Sequence, residues 1–498
     1  MKRKSGILLH ISALPTKYGI GSFGSESYEF IDYLVKSKQK IWEILPLNQT
    51  GFGDSPYSSC CSYSFNPYFI SLESLLGQGL LTKKELKECE DTNKYIDYGK
   101  LYNERFAILK KAFSRFDKTK KEFVSFVKKG EYKDYALFMT LKLKFNNRGF
   151  YDWPYEFKYR NPCALKDFEK ENIDDILFWQ FLQYEASSAW IMLKGYAKEN
   201  GIEIIGDLPL YVAYDSVDVW CNPQLFKLDD NLTPKKVAGV PPDYFSATGQ
   251  LWGNPVYNYE KMSEDGYKWW VNRFVSALKY YDYVRIDHFR GFDRFYEIDY
   301  GKSDATEGEW ITVPSDELFE QIHKRISKKR IIAEDLGIID DGVIALLKKT
   351  GYPGMRVLSF AFNSEDTNPY LPQNLEENSI CYTGTHDNDT LMGLLEQFSE
   401  WDYTNFRNGV KNSLKSLNIK KTVNSSQSVA KSVIELGFAS KSHLFIIPMQ
   451  DVALLGKDYR MNTPGREIGN WTLKVPKKCF SDKNSEYLAN LTTRYKRV

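Results

Sequence analysis

Tyr283-Val284-Arg285-Ile286-Asp287-His288-Phe289-Arg290-Gly291-Phe292-Asp293 starts as a short apolar strand pattern and finishes in a crowd of charge. Val284 and Ile286 read as the buried face of a strand, while Arg285 and Asp287 alternate onto the other. Two arginines, an aspartate and a histidine within six residues cost too much to bury for packing alone. A cation two positions before a carboxylate lies on the same side of a strand. That placement keeps Asp287 ionised and usable as a base, nucleophile or ligand. The plainer alternative is a structural ion pair at a strand end.

The same rhythm recurs along the chain. Apolar runs at 202–207, 330–335, 379–387 and 444–451 end in Asp207, Glu334, His386 with Asp387, and Asp451. The run 355–362 is a further strand candidate, and 40–46 and 66–72 supply two more near the N-terminus. With 283–287 these make eight, and helical patterns at 25–37, 316–329 and 341–349 lie between them. Near-continuous apolar strands alternating with helices imply a parallel sheet covered on both faces. Eight of them indicate an α/β chain closed as a (β/α)8 barrel, with polar strand ends gathered at one mouth. An open doubly wound sheet is the alternative, but no GxGxxG follows the first strand.

Residues 80–200 have a different texture, rich in Lys and Glu with apolar spacings of three and four. They read as a mainly helical insertion subdomain ending at Gly201, a C-terminal cap. The expected organisation is a single catalytic barrel over 1–498 carrying that insertion and a loop insertion at 213–257 that covers the active site.

A net charge of +2 gives no sign of nucleic acid or an anionic membrane as partner. Aromatics make up 15% of the chain, with 34 Tyr and 11 Trp, a load that suits stacking on flat apolar faces such as sugars. The seven cysteines are scattered without metal-ligand spacing, so neither a disulfide framework nor structural zinc is expected. The start MKRKSGILLHISALP mimics a signal peptide, but its apolar run of about four residues is shorter than an h-region. No window reaches the roughly 18 apolar residues of a membrane helix. The expectation is a soluble cytoplasmic protein.

Four carboxylates, Asp207, Asp287, Glu334 and Asp387, therefore stand at the ends of separate strands beside Arg285 and His386. Such a cluster suits divalent-metal binding or glycosyl transfer. The second reading explains more, because a cation-like transition state is stabilised by a fixed anion. Loop aromatics Tyr57, Tyr244, Phe245 and Trp252 are available to stack on sugar faces. Asp335 alternates away from Glu334, and Asp389 reads as a helix N-terminal residue. His10, His323 and His443 read as structural or surface residues.

The chain closely resembles the 4-α-glucanotransferases of glycoside hydrolase family 77. The resemblance rests on LLHISALPTKYGIGSFG at 8–24, GDSPYSS at 53–59, GDLPLYVAYDSVDVW at 206–220 and PPDYFSATGQLWGNPVY at 241–257. It continues through VRIDHFRGF at 284–292, IIAEDLG at 331–337, TGTHDNDT at 383–390 and RMNTPG at 460–465. The resemblance implies a retaining double displacement with Asp287 as nucleophile, Glu334 as acid/base and Asp387 as transition-state stabiliser. Arg285 and His386 match residues that bind the sugar at the cleavage point, Arg285 also holding the nucleophile ionised. Tyr57 matches an aromatic platform under that sugar, and Asp207 a supporting barrel acid. Tyr244, Phe245 and Trp252 match a loop over the acceptor side, and Ser55 and Asn462 are weaker matches. It implies α-1,4-glucans and malto-oligosaccharides as donors, glucose or malto-oligosaccharides as acceptors, and no cofactor or metal. Competing readings are an α-amylase-type hydrolase, a catalytically dead glycan-binding protein and a metal-dependent barrel enzyme.

Overall fold

The computed structural model describes residues 2–497 apart from 52, 243–245, 338, 363, 364 and 467. Its strands are β1 Lys4–Leu8, β2 Ile41–Glu43, β3 Glu203–Leu208, β4 Lys236–Val240, β5 Gln250–Pro255 and β6 Tyr283–Ile286, followed by β7 Arg294–Asp299, β8 Glu309–Thr312, β9 Ile331–Ala333, β10 Gly354–Val357, β11 Ser379–Tyr382 and β12 Leu444–Pro448. Eight of them close a parallel barrel in the order β1-β12-β11-β10-β9-β6-β3-β2. Every barrel strand points the same way, so all eight C-terminal ends meet at one mouth. The chain is a (β/α)8 barrel.

Seven of the eight expected strands are in the barrel, and the eighth is a different segment. Residues 66–72 form a 3-10 turn, Pro67–Phe69, and the start of helix Leu72–Gly77. Two local caps decide this: Asn66 Oδ1 accepts from Tyr68 N at 3.0 Å, and Ser71 Oγ accepts from Ser74 N at 3.2 Å. The missing strand is β1, which pairs Leu8 with Pro448 on one side and Glu43 on the other. Its Gly6 is needed for closure, because a Cβ there would fall 2.3 Å from the Ile41 Cβ. The run 355–362 keeps extended backbone only in its first half and then turns as Leu358–Phe360.

Helices cover the barrel between most strands. Ser25–Lys36 joins β1 to β2, and a series from Lys83–Glu88 to the long Ile173–Glu199 fills the stretch before β3. Gly201 ends the long helix with φ +71, the left-handed conformation expected of a cap. Lys268–Tyr280 precedes β6, Ser315–His323 precedes β9, and Asp341–Thr350 precedes β10. Trp190 and Trp270, both 0% exposed, lie among the largest buried side chains, so much of the aromatic load is core.

A second sheet, β5-β4-β7-β8, is antiparallel and was not read from the sequence. It draws β4 and β5 from the 213–257 stretch and β7 and β8 from the chain after the 283–293 segment. No helix among the described residues is long and apolar enough to cross a membrane.

Candidate active site

The site is built on the C-terminal ends of β3, β6, β9 and β11. In the β3–β6 ladder Asp207 stands level with Arg285. The arginine closes on the acid as a bidentate pair, Nε donating to Oδ1 at 3.0 Å and Nη2 to Oδ2 at 2.6 Å. Both side chains are almost fully buried. Tyr57 Oη donates to Asp207 Oδ2 at 2.5 Å and accepts from Arg285 Nη2 at 3.0 Å. The Tyr57 hydroxyl is thus part of the clamp, and its turn is half-buried against the site rather than open to solvent.

Arg285 Nη2 also lies 3.5 Å from Asp287 Oδ1, the same-side contact expected from their spacing. The outcome for ionisation differs from the expectation. Burial raises the Asp287 carboxyl to about 7, the attraction of Arg285 opposes this, and the negative charges of Asp207 and Asp387 add to the rise. The guanidinium spends its short bonds on Asp207, so it does not hold Asp287 in the ordinary carboxylate range.

The β6–β9 register pairs Ile286 with Ala333, so Asp287 and Glu334 are the next residues off two adjacent strands. Glu334 N bonds Ile286 O at 3.0 Å, continuing the ladder, and Glu334 Oε2 accepts from His288 N at 2.6 Å. His288 presents that N–H from a left-handed backbone, φ 50, unusual for a residue with a side chain. Burial comes first and the Asp287 charge second in raising Glu334 to about 8. Both carboxyls are thus held above the ordinary carboxylate range, Glu334 partly by the charge of its neighbour. Asp335 faces elsewhere: Arg356 Nη1 donates to it at 2.8 Å and Met355 N at 2.6 Å, as the alternation predicts.

Asp387 completes the acids from beyond β11. Asn462 Nδ2 donates to its Oδ1 at 2.6 Å, and Arg460 Nη2 donates to its carbonyl at 2.6 Å. His386 Nε2 lies 3.4 Å from the same carboxylate. Burial lowers the His386 pKa, so the ring is neutral at physiological pH. Its ring stacks on Tyr57 with centroids 5.2 Å apart and planes at 17°, and Trp471 leans on both at 5.8 and 5.9 Å.

Trp252 stands edge to face with the His288 ring at 4.9 Å, which puts it beside the backbone donor to Glu334. Ser55 shapes the Tyr57 turn, its Oγ accepting from Tyr57 N at 3.2 Å, and makes no bond to the acids. Tyr244 and Phe245 lie outside the described residues. Asp389 sits at the N-terminus of the helix Leu391–Gln397, directly before its cap Thr390, whose side chain accepts from Gly393 N at 2.9 Å. His10 packs edge-on against Phe69 and His323 bonds the Tyr352 hydroxyl.

Sequence reading missed three contributors. Glu43 ends β2 inside the barrel, accepts from Tyr382 Oη at 2.8 Å, and is raised to about 7 by burial. An acid closing an apolar strand was the available signal. Arg460 and Trp471 lie in loops where only tertiary contact reveals a role. No group of three His, Cys, Asp or Glu among the described residues is arranged to hold a metal ion.

A barrel whose mouth holds two neighbouring carboxyls raised by burial, a third acid and stacked aromatics has the equipment of a glycosyl-transfer enzyme. The glycoside hydrolase family 77 model, described as 4-alpha-glucanotransferase, matches residues 9–479. The 4-alpha-glucanotransferase of Clostridium butyricum is 41% identical over 495 residues, covering 98% of this chain and all of that one. The chloroplastic/amyloplastic 4-alpha-glucanotransferase of Solanum tuberosum is 38% identical over 95% of this chain and 82% of its own length. Among solved structures, amylomaltase from Streptococcus agalactiae in complex with acarbose is 36% identical with a TM-score of 0.94 and full coverage of both chains. This chain belongs to glycoside hydrolase family 77, the 4-α-glucanotransferases, and transfers segments of α-1,4-glucan from donor to acceptor.

Proposed function

We propose that Asp287 is the nucleophile, Glu334 the acid/base and Asp387 the transition-state stabiliser of a retaining double displacement. The observation that carries this is the side-by-side emergence of Asp287 and Glu334 from β6 and β9, with the Asp287 charge strengthening the hold of Glu334 on a proton. In the productive state Glu334 holds the proton and Asp287 does not. Glu334 protonates the glycosidic oxygen while an Asp287 oxygen attacks the anomeric carbon, so the C1–O bond to the leaving glucan breaks as the ester bond forms. Asp387, steadied by Asn462, faces the positive charge that develops on the ring. Glu334 then takes the proton of an acceptor 4-hydroxyl, which displaces Asp287 and restores the original configuration.

Tyr57 and the neutral His386 form the platform for the sugar at the cleavage point, and the Asp207–Arg285 pair fixes the base of that platform. Trp252, with the rest of the 213–257 insertion, covers the acceptor side and holds water off the ester intermediate. The acceptors are glucose and malto-oligosaccharides. The 80–200 segment serves as a helical subdomain of the one catalytic barrel. The seven cysteines are all unpaired, which supports a reducing, cytoplasmic setting.

The test is incubation with maltotriose. The parent enzyme should give glucose and a ladder of longer oligosaccharides, and Asp287→Asn or Glu334→Gln should lower turnover by roughly three or more orders of magnitude with the fold intact. Near-normal turnover in either variant overturns the assignment.

A further inference from the structure

A second cavity, of about 380 Å3, lies on the flank of the barrel. None of Arg285, Asp287, Glu334 or Asp387 lines it, so it is not the catalytic pocket. One wall is the helix Lys268–Tyr280, which contributes Trp269, Asn272 and Ser276. Spacings of three and four put these side chains on one helix face. The opposite side carries Tyr63 and the Asp134–Arg160 ion pair, with Nη2 donating to Oδ1 at 2.7 Å.

Three features define what fits there. The volume is within the range of small-molecule sites. The Trp269 indole N–H, the Asn272 amide, and the Ser276 and Tyr63 hydroxyls have no hydrogen-bond partner among the described residues. They offer donors and acceptors beside aromatic surface, the mixture a sugar ring uses. The cations of the lining are already committed. Arg160 is bonded to Asp134 and Arg273 to the carbonyls of Leu210 at 3.1 Å and Pro209 at 2.6 Å, while Asp207 is paired with Arg285 and Glu131 with Lys279. The described lining thus leaves no unengaged cation for a phosphate ester or a carboxylate, whereas a neutral polyhydroxyl molecule needs none.

We infer that this cleft is a second saccharide-binding site, taking a short neutral α-1,4-linked glucan outside the catalytic pocket. It rests on the glucan chemistry of the family and not on the roles assigned to the individual acids. The segment lining its inner side carries Asp207, the partner of Arg285, so occupancy reaches the catalytic clamp through one residue.

Calorimetric titration of maltose into the full-length Glu334→Gln protein tests the inference, after a maltotriose incubation confirms that no ladder forms. Adding Ser276→Trp, which fills the cleft, should remove one binding event per chain. Adding Asn272→Ala, at an exposed position, should weaken that same event about three- to ten-fold. In the Glu334 background Ser276→Trp should still form the ladder, which also reports that it folds. Identical isotherms for all three proteins overturn the inference. So does inorganic phosphate binding that the two cleft variants abolish. A ladder persisting in Glu334→Gln would refute the acid/base assignment and leave the cleft to be judged by the Asn272→Ala comparison.

Discussion

Asp207→Asn removes one charge from the clamp while keeping its shape. In the native site the carboxylate accepts Arg285 Nε at 3.0 Å, Arg285 Nη2 at 2.6 Å and Tyr57 Oη at 2.5 Å. An amide keeps one oxygen and turns an NH2 toward a donor, so at least one of these bonds is lost. Breaking a buried ion pair from one side costs about 3–5 kcal/mol, because the remaining charge is left uncompensated. Here Asp287 Oδ1, 3.5 Å from Arg285 Nη2, takes up part of that charge, which places the loss at the lower end. If the loss is felt in the transition state, about 3 kcal/mol corresponds to roughly a hundred-fold in kcat/KM. The pH profile should move as well. Asp207 raises Asp287 and Arg285 lowers it, so the variant's Asp287 ionises at lower pH and the acid limb shifts down. Initial rates on maltotriose across pH, for Asp207→Asn, Tyr57→Phe and the double variant, measure both effects. The double variant should lose less than the sum, since all three groups share one network. A kcat/KM within about three-fold of the parent, with an unmoved acid limb, refutes the reasoning.

Glu43→Gln should keep the bond from Tyr382 and change the pH dependence of stability. A buried acid raised to about 7 binds its proton more tightly folded than unfolded, so native stability falls as pH rises from the ordinary carboxyl range through about 7. Urea midpoints should therefore show the variant gaining on the parent above about pH 8 and not at low pH. Trp252→Ala should raise hydrolysis relative to transfer, read as reducing ends released per ladder product, and an unchanged ratio removes it from the acceptor side. Gly206→Ala should cost about 1–3 kcal/mol in urea denaturation, because its Cβ would fall 2.2 Å from the Tyr281 ring.

The barrel was legible because most of its strands are buried on both faces and end in a polar residue at the mouth. β1 was obscured because Lys4, Ser5 and Gly6 dilute its apolar character, and closure needs the glycine for contact with Ile41. Residues 66–72 looked extended because two caps, Asn66 and Ser71, act through single side-chain bonds that apolar periodicity does not register. The antiparallel sheet went unread because β7 sets Phe295 beside Tyr296 and does not alternate, and β4 and β5 both carry a glycine. In the site, strand ends announced Asp207, Arg285, Asp287 and Glu334. The sequence could not announce that Arg285 would close on Asp207 more tightly than on Asp287, because that choice depends on the β3–β6 register. Nor could it show His288 aiming its backbone N–H at Glu334, which follows from a single left-handed residue.

The central claim is that a glucan is carried on Asp287. Trypsin cuts after Arg285 and Arg290 and releases Ile286-Asp287-His288-Phe289-Arg290, a peptide whose only side-chain carboxyl is Asp287. Glu334→Gln protein incubated with a fluorinated, activated maltosyl donor, then digested and analysed by mass spectrometry, should carry the maltosyl mass on that peptide. The adduct should vanish in Asp287→Asn. A sugar found instead on the peptide bearing Asp387, or no adduct while the donor is consumed, would contradict the account.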